Sequence, residues 1–380
     1  MSSMTVYLNN AAEARLSAAT KEIGVASVQQ SPTKHNLPDA NVHVRQLFAQ
    51  LVGCESKHVS LMPSTAFAIT LAAHNLAREW RETTGKILLI QDQYSSAVYP
   101  WQDVVAQSEG RLQLLIVEPP TATTTWTDQV VAALTQNEDV LVACLPPLHW
   151  SDGALLDLEL IRNTLGDSIP LIVDATQAVG ILPGVNVSRW RPFMLACSSH
   201  KWLRSPSGTC AVYVDPCLHD RWSPLDSHSR GRYSATGNAG QNEIGPDGFD
   251  SKFFEDARKF DSGGRPNPVT LPMMAVAMQE VVELDLIQAQ LKLKELMEPV
   301  VEWAKANDFE LTSGPHAYHL VGIRPKDLSV EDMLDVLKKL AEEDVYIAVR
   351  AGAFRVSPYL DTTKEEIDRF LEVLGRVLGM

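Results

Sequence analysis

No apolar run in this sequence approaches the roughly 20 residues that a membrane-crossing helix requires, and no block is rich in lysine and arginine. The opening segment, MSSMTVYLNNAAEARLS, carries neither a basic n-region nor an apolar h-region, so neither export nor membrane insertion is expected. Cysteine is scarce: Cys54, Cys144, Cys197, Cys210 and Cys217 are odd in number, scattered, and never at C-x-x-C spacing. That usage fits free thiols in a reducing compartment, most of them filling core space, and no metal site is expected. Positive charge is in deficit, with 33 Lys+Arg against 47 Asp+Glu and a formal net charge of -14. Nucleic acid and anionic membranes are therefore not expected as partners. A cytoplasmic protein acting on a small molecule is.

The 380 residues, 45% of them hydrophobic, suffice for a large core and two domains. Short apolar runs recur at KILLI, LQLLIV, VLVACL, PLIVD, FMLACS and TCAVYV, with amphipathic stretches such as TDQVVAALTQN and LDLELIRNTLG between several of them. Each run is too short for a core helix, and the alternation predicts an α/β fold, a mostly parallel central sheet flanked by helices. Sites in such sheets lie at the carboxyl ends of the strands. Between about 222 and 267 the chain turns to Gly, Ser, Asn and Asp, a long excursion of the kind that is often functional. A long helical pattern follows from LPMMAVAM to EWAKAN. Then VYIAVRAGAFRVSPYL reads as two short strands, and TTKEEIDRFLEVLGRVLG as a helix opened by a capping box of Thr362 with Glu365. The expected division is an N-terminal segment 1–15, a large domain 16–284 and a smaller α+β domain 285–380.

Two strand ends carry chemistry. Asp174 closes PLIVD, with Gln177 three residues on; by itself it fits either a turn cap or a carboxylate holding a proton on a heteroaromatic ring nitrogen. Lys201 follows the run FMLACS, and a buried ammonium is costly unless paired or discharged. A lysine kept neutral is the nucleophile that forms imines with aldehyde cofactors. Ser198 and His200 flank it as phosphate donors, though an isolated H-K pair is more often an exposed turn. Ser64 and Thr65 precede an apolar helix pattern, which is N-cap chemistry and equally an anion site. Tyr94 closes another strand and offers a ring for stacking, or for the core.

VDATQAVGILP followed by SSHKWLRSPSGTCAVYV resembles the signature of the class V aminotransferase family of pyridoxal phosphate (PLP) enzymes, a group that includes cysteine desulfurases, kynureninases, C–S lyases and epimerases. YLNNAA, STA, QYSSAVYPW, RKFDSGGRPNP and FRVSPYLDTTKEEIDRFLEVL extend the resemblance through nearly the whole chain. It implies the PLP-dependent transferase fold type I. It implies that Lys201 carries the cofactor, Asp174 pairs with the pyridine nitrogen, Gln177 contacts the phenolic oxygen and Tyr94 stacks on the ring. Ser64, Thr65, Ala66, Ser198 and His200 would bind the phosphate, and Arg355 the carboxylate of an amino-acid substrate. His149 lies near a position of polar cofactor contact. Arg265, in SGGRPNP, stands at or beside the place where relatives put a threonine that reaches the partner subunit's phosphate, so it is expected on a phosphate or an unusual anionic substrate. A homodimer with shared active sites is implied, the excursion contributing to the neighbour's site.

In the family that the chain resembles, the desulfurase, kynureninase and lyase branches tend to carry His before the lysine, so His200 implies elimination at Cβ; all five cysteines lie at or before Cys217, away from the C-terminal third where a desulfurase needs its thiolate. The expected activity is a PLP-dependent lyase cleaving a Cβ–heteroatom bond. An aminotransferase is the alternative, followed by a racemase or epimerase, and by a degenerate scaffold that has kept only the fold.

Overall fold

The computed structural model describes residues 4–31, 37–232, 252–263 and 267–380. The chain opens with a short strand, β1 (Val6–Tyr7), and two helices, α1 (Ala18–Gln29) and α2 (Leu37–Val52). The main sheet is then built from β2 (Val59–Met62), β3 (Gly85–Ile90), β4 (Leu112–Val117), β5 (Val140–Leu145), β6 (Leu171–Asp174), β7 (Met194–Ser198) and β8 (Cys210–Val214). Interleaved helices are α3 (Thr65–Glu79), α4 (Tyr99–Ala106), α5 (Trp126–Gln136), α6 (Leu158–Leu165) and α7 (Val187–Trp190). Strand order is β2-β8-β7-β6-β5-β3-β4, and only the pairings of β8 with its two neighbours are antiparallel. This is the mostly parallel sheet that the apolar runs predict.

Those runs are continuous because both faces of the sheet are covered. Successive side chains alternate: Leu88, Ile90, Ala143, Leu145 and Val173 enter one hydrophobic cluster, while Ile87, Leu89, Val142, Cys144 and Ile172 enter the other. Helices α2, α5 and α6 pack on the first face, and α3 and α4 on the second.

The long apolar pattern after the excursion is two helices rather than one, α8 (Thr270–Val282) and α9 (Leu286–Ala306). Asp285 separates them by capping α9, accepting from the backbone N–H groups of Ile287 and Gln288 at 3.0 and 3.1 Å. Beyond α9 come β9 (Glu310–Leu311), β10 (Val321–Arg324), α10 (Val330–Glu342), β11 (Val345–Tyr346), β12 (Ala348–Arg350), β13 (Ala353–Val356) and α11 (Lys364–Leu378). A third hydrophobic cluster gathers these elements together with Val6, Leu8, Ala11, Ile181 and Trp202. The N-terminal strand belongs here, since β1 pairs in parallel with β11. Among the described residues no helix is long and apolar enough to cross a membrane.

Two further sequence expectations shift. The capping box of α11 is Thr363 with Glu366, one residue later than the pairing of Thr362 with Glu365. Both threonines have a glutamate three positions on, but the Thr362 hydroxyl is used to accept from the Tyr359 N–H at 3.1 Å, which leaves the cap to Thr363. The segment read as two strands is three, because β12 and β13 form a hairpin whose turn is only Ala351 and Gly352, at φ 46° and 71°. Two-residue hairpin turns with positive φ at both positions favour Asn-Gly, and alanine there carries steric strain. Ala351→Asn is expected to raise stability by about 1 kcal/mol, read as a later denaturation midpoint; an unchanged midpoint would show that the turn stores no strain.

Candidate functional site

Asp174 and Lys201 are delivered by adjacent parallel strands, β6 ending at Asp174 and β7 at Ser198, with Asp174 opposite Ala196 in the ladder. The turn that carries Lys201 is held by the Ser199 N–H on the Thr209 carbonyl, 2.9 Å, and by the Ser199 hydroxyl on the Pro206 carbonyl, 2.6 Å. Both functional side chains are buried, Asp174 at 8% and Lys201 at 7% exposure. Burial drives the Lys201 amine down to about 8; Asp174 opposes this, and the cations Arg355 and Arg350 reinforce it. Burial also raises Asp174 above the usual carboxylate range, against hydrogen bonds from Thr176 and the charge of Lys201. Each therefore feels the other's charge within one crevice. Among the described residues the Lys201 Nζ has no hydrogen bond or ion pair; its neighbour is the Tyr94 ring, centroid 5.0 Å away.

The amino end of α3 lies against the same strand ends. Ser64 caps the helix, accepting from the Phe67 N–H at 3.1 Å. The Thr65 hydroxyl is 2.7 Å from that of Ser198 and 3.2 Å from that of Thr176, and Thr176 Oγ1 accepts from the Ser198 N–H at 3.2 Å. A helix start with unpaired N–H groups beside three hydroxyls suits a phosphate, and the short side chain of Ala66 leaves the helix start uncrowded. His200 is half-buried, and desolvation first, then Lys201, lowers it to about 4, so it stays neutral. Thr176 was not anticipated from the sequence, although it lies two residues past Asp174 in the same loop.

Gln177 is buried and already bonded. Its Nε2 donates to the Ala11 carbonyl at 3.0 Å and its Oε1 accepts from Trp202 Nε1 at 2.7 Å, leaving one Nε2 hydrogen for a ligand. The loop can pack so closely because residue 180 is glycine: it sits at φ +95°, and a Cβ there would be 2.6 Å from the Trp202 carbonyl oxygen.

Tyr94, 39% exposed, meets Trp150 edge-on with centroids 5.2 Å apart. Arg355 reaches the same place from β13, with its guanidinium 5.7 Å from the Trp150 ring. It is 1% exposed, donates to the Trp150 carbonyl at 3.2 Å and to Asn9 Oδ1 at 3.5 Å, and has no partner for Nε. Asn9 is brought there by the YLNNAA segment, which is stitched to Ser357 through the Asn10 N–H and the Ala11 N–H at 2.9 and 3.1 Å.

His149 does not take the cofactor-contact position expected of it. Its ring stacks on Trp126 at 5.3 Å, Nδ1 is 2.9 Å from the Ser151 hydroxyl and Nε2 is 3.3 Å from the Gln91 carbonyl, so neither nitrogen remains for a ligand. The next residue, Trp150, faces Tyr94 and Arg355 instead. Arg265, and residues 233–251 of the 222–267 excursion, lie outside the described residues.

Residues 18–370 match the family model described as Aminotransferase class-V. An uncharacterized aminotransferase of Bacillus subtilis, YcbU, is 24% identical over 339 residues, 87% of this chain and 82% of that protein. Among solved structures, the apo cysteine desulfurase of Thermococcus onnurineus superposes with a TM-score of 0.83 at 17% identity, covering 99% of this chain and 95% of the other. The cystine C–S lyase C-DES, in complex with its product cysteine persulfide, superposes at 0.82 with 18% identity and 97% coverage of both chains. With the matched model running from the first helix into the last, the chain belongs to the aminotransferase class-V family.

Proposed function

We propose that this crevice holds pyridoxal 5′-phosphate on Lys201 and that the protein is a PLP-dependent lyase that cleaves a Cβ–heteroatom bond of an α-amino acid. The carrying observation is the burial of an amine lowered to about 8 and a carboxylate in the same crevice at the ends of neighbouring strands. The donor set fits the cofactor: an unbonded amine for its aldehyde, Asp174 for its ring nitrogen, and Tyr94 for its face. Ser64, Thr65, Ala66, Ser198 and His200 suit its phosphate, and the remaining Nε2 hydrogen of Gln177 its phenolic oxygen. When bound, PLP supplies an electron sink for negative charge developing at the substrate Cα.

The chain's own residues supply the rest. Arg355 offers its planar fork to the substrate carboxylate, and its orphaned Nε marks donor capacity that the protein does not use. Lys201, its amine lowered to about 8, takes the Cα proton and delivers it to the heteroatom that leaves Cβ with its bonding electron pair. Asp174 holds a proton on the ring nitrogen; a cationic N–H opposite it offsets the burial that otherwise raises its pKa. Trp150 and Tyr94 wall the substrate side and keep water from the reacting atoms.

Elimination is preferred to persulfide transfer because none of the five thiols suits a nucleophile. Burial pushes Cys54, Cys144 and Cys210 up to about 12 and Cys197 well above its usual value, and partial desolvation together with the Asp215 carboxylate raises the exposed Cys217 as well. In the same reading the protein is a homodimer with shared active sites. A cleft of about 610 Å³ lined by Pro63, Arg45, Arg230, Arg258 and Ser262 adjoins the start of α3; a solution mass of one chain would remove the dimer from this reading.

The deciding experiment gives the PLP-loaded protein L-cystine, S-substituted cysteines and L-alanine while its absorbance is followed. Pyruvate and ammonia with a retained aldehyde band support the lyase. Loss of that band to the amine form, with release of a 2-oxo acid, establishes the aminotransferase alternative instead, and failure to take up PLP defeats both.

A further inference from the structure

Two guanidiniums, not one, face the substrate side of the crevice. In the β12–β13 hairpin Ala348 lies opposite Arg355 and Arg350 lies opposite Ala353. Arg350 and Arg355 are thus diagonal neighbours on one face of the ribbon, within reach of each other for long side chains. The two-residue turn leaves no slack in this register, and Arg324 fixes it further by donating to the Ala351 carbonyl at 2.9 Å.

Like charges in this relation are ordinarily unfavourable, and here the setting is buried. Arg355 is 1% exposed and Arg350 half-buried. Among the described residues neither forms an ion pair with a carboxylate, and the charged or titratable groups acting on Arg355 are Arg350, Tyr94 and Tyr7. The hydrogen bonds described for Arg355 go to the Trp150 carbonyl and to Asn9, and that of Arg350 goes to the Val349 carbonyl at 2.8 Å. Each guanidinium has five N–H donors, so most of this capacity is unspent. Lys201 adds a third nitrogen to the same cluster: both arginines lie close enough to lower its pKa. A chain of net charge -14 has abundant carboxylates with which to neutralise such a cluster, yet among the described residues the one placed there, Asp174, acts on Lys201 and pairs with neither arginine. Buried cations without protein partners require anions from the ligand. The single carboxylate of an ordinary amino acid occupies one guanidinium fork.

We propose that Arg350 and Arg355 form a two-anion site, and that the substrate is an amino acid whose side chain or leaving group itself carries a negative charge. Arg355 takes the α-carboxylate and Arg350 the distal anion. This rests on the reading of the crevice as an amino-acid site.

The test uses the PLP-loaded protein and two ligands without an amine, succinate and propionate, which cannot react with the cofactor. Their dissociation constants are measured by calorimetry at one pH and ionic strength. Wild type binds succinate at least about tenfold more tightly than propionate, as one added charge-assisted contact requires. Arg350→Gln brings that ratio close to one, Arg350→Lys keeps part of it, and Arg355→Gln weakens both ligands. A wild-type ratio near one overturns the proposal, as does a ratio that survives in Arg350→Gln. Should Arg350→Gln fail to melt cooperatively, the wild-type ratio and the Arg350→Lys ratio decide in the same way. PLP attached covalently in wild type but not in Lys201→Ala, together with a ratio of one, defeats this inference alone; absence of PLP binding to wild type defeats the functional reading instead.

Discussion

Lys201→Ala is expected to lower kcat by at least about 10³-fold while the fold and a non-covalent affinity for PLP persist. Two jobs disappear with one amine: attachment of the aldehyde, and proton transfer at Cα. The proposed phosphate donors, Thr65 at the start of α3 and Ser198 at the end of β7, are untouched, so the cofactor is expected still to bind, but with the absorbance of the free aldehyde. Turnover within about tenfold of wild type would place the essential base elsewhere and withdraw the assignment. Removal of the amine also has a stability signature. An amine lowered to about 8 in the fold and near 10.4 when unfolded is charged in both states below pH 8, where the burial penalty is fully present. Between pH 8 and about 10.4 the unfolded chain binds more protons than the folded one, so apo wild-type stability gains about 3 kcal/mol over that window. Apo Lys201→Met lacks that gain, and superimposable stability-pH curves for the two proteins would show that the lysine is not buried as a strained cation.

The sheet and its chemical poles were legible because they follow from local pattern. An apolar run that ends on a polar residue, PLIVD or FMLACS, announces both a buried strand and its carboxyl end, and the N-cap chemistry of Ser64 announces the start of α3. What was not legible depends on contacts far apart in sequence or on the facing of single residues. His149 and Trp150 are neighbours in a loop after β5, and nothing local says which ring turns to the crevice; stacking on Trp126 and the Gln91 carbonyl decides it. Gln177 reads as a cofactor contact, but its acceptor belongs to Trp202, 25 residues on, and a donor hydrogen belongs to Ala11, 166 residues back. The pairing of β1 with β11 has no sequence signal at all, yet the segment that follows β1 is what sets Asn9 beside Arg355. Arg350 was passed over because its significance is a register: only the two-residue turn puts it on the face of Arg355.

Trp202→Ala is expected to cost about 3–5 kcal/mol of stability, the range for removing a fully buried large aromatic. The side chain is 0% exposed, directly follows Lys201 and forms the back wall of its turn. It packs edge-on against His319 with centroids 4.5 Å apart and lies 6.3 Å from Tyr359, in the cluster that also holds Val6, Leu8 and Ile181. Its loss opens a cavity where β1, the Lys201 turn and the C-terminal elements meet. It also orphans the Gln177 oxygen, whose neighbour His319, held neutral by burial at about 4, bonds the Gln177 carbonyl at 2.8 Å. Trp202→Phe separates the two contributions, since it keeps most of the packing and removes only the indole N–H, a loss of about 1–3 kcal/mol for a buried acceptor left unpaired. Denaturant midpoints in the order wild type, Trp202→Phe, Trp202→Ala are the expected result. Activity should fall in the same order, because the tryptophan sets the position of the amine beside it and a misplacement of about 1 Å can cost 10²-fold in rate. A Trp202→Ala protein as stable as wild type would mean that the wall behind Lys201 is carried by its other neighbours, and that the lysine's position does not depend on the N-terminal strand at all.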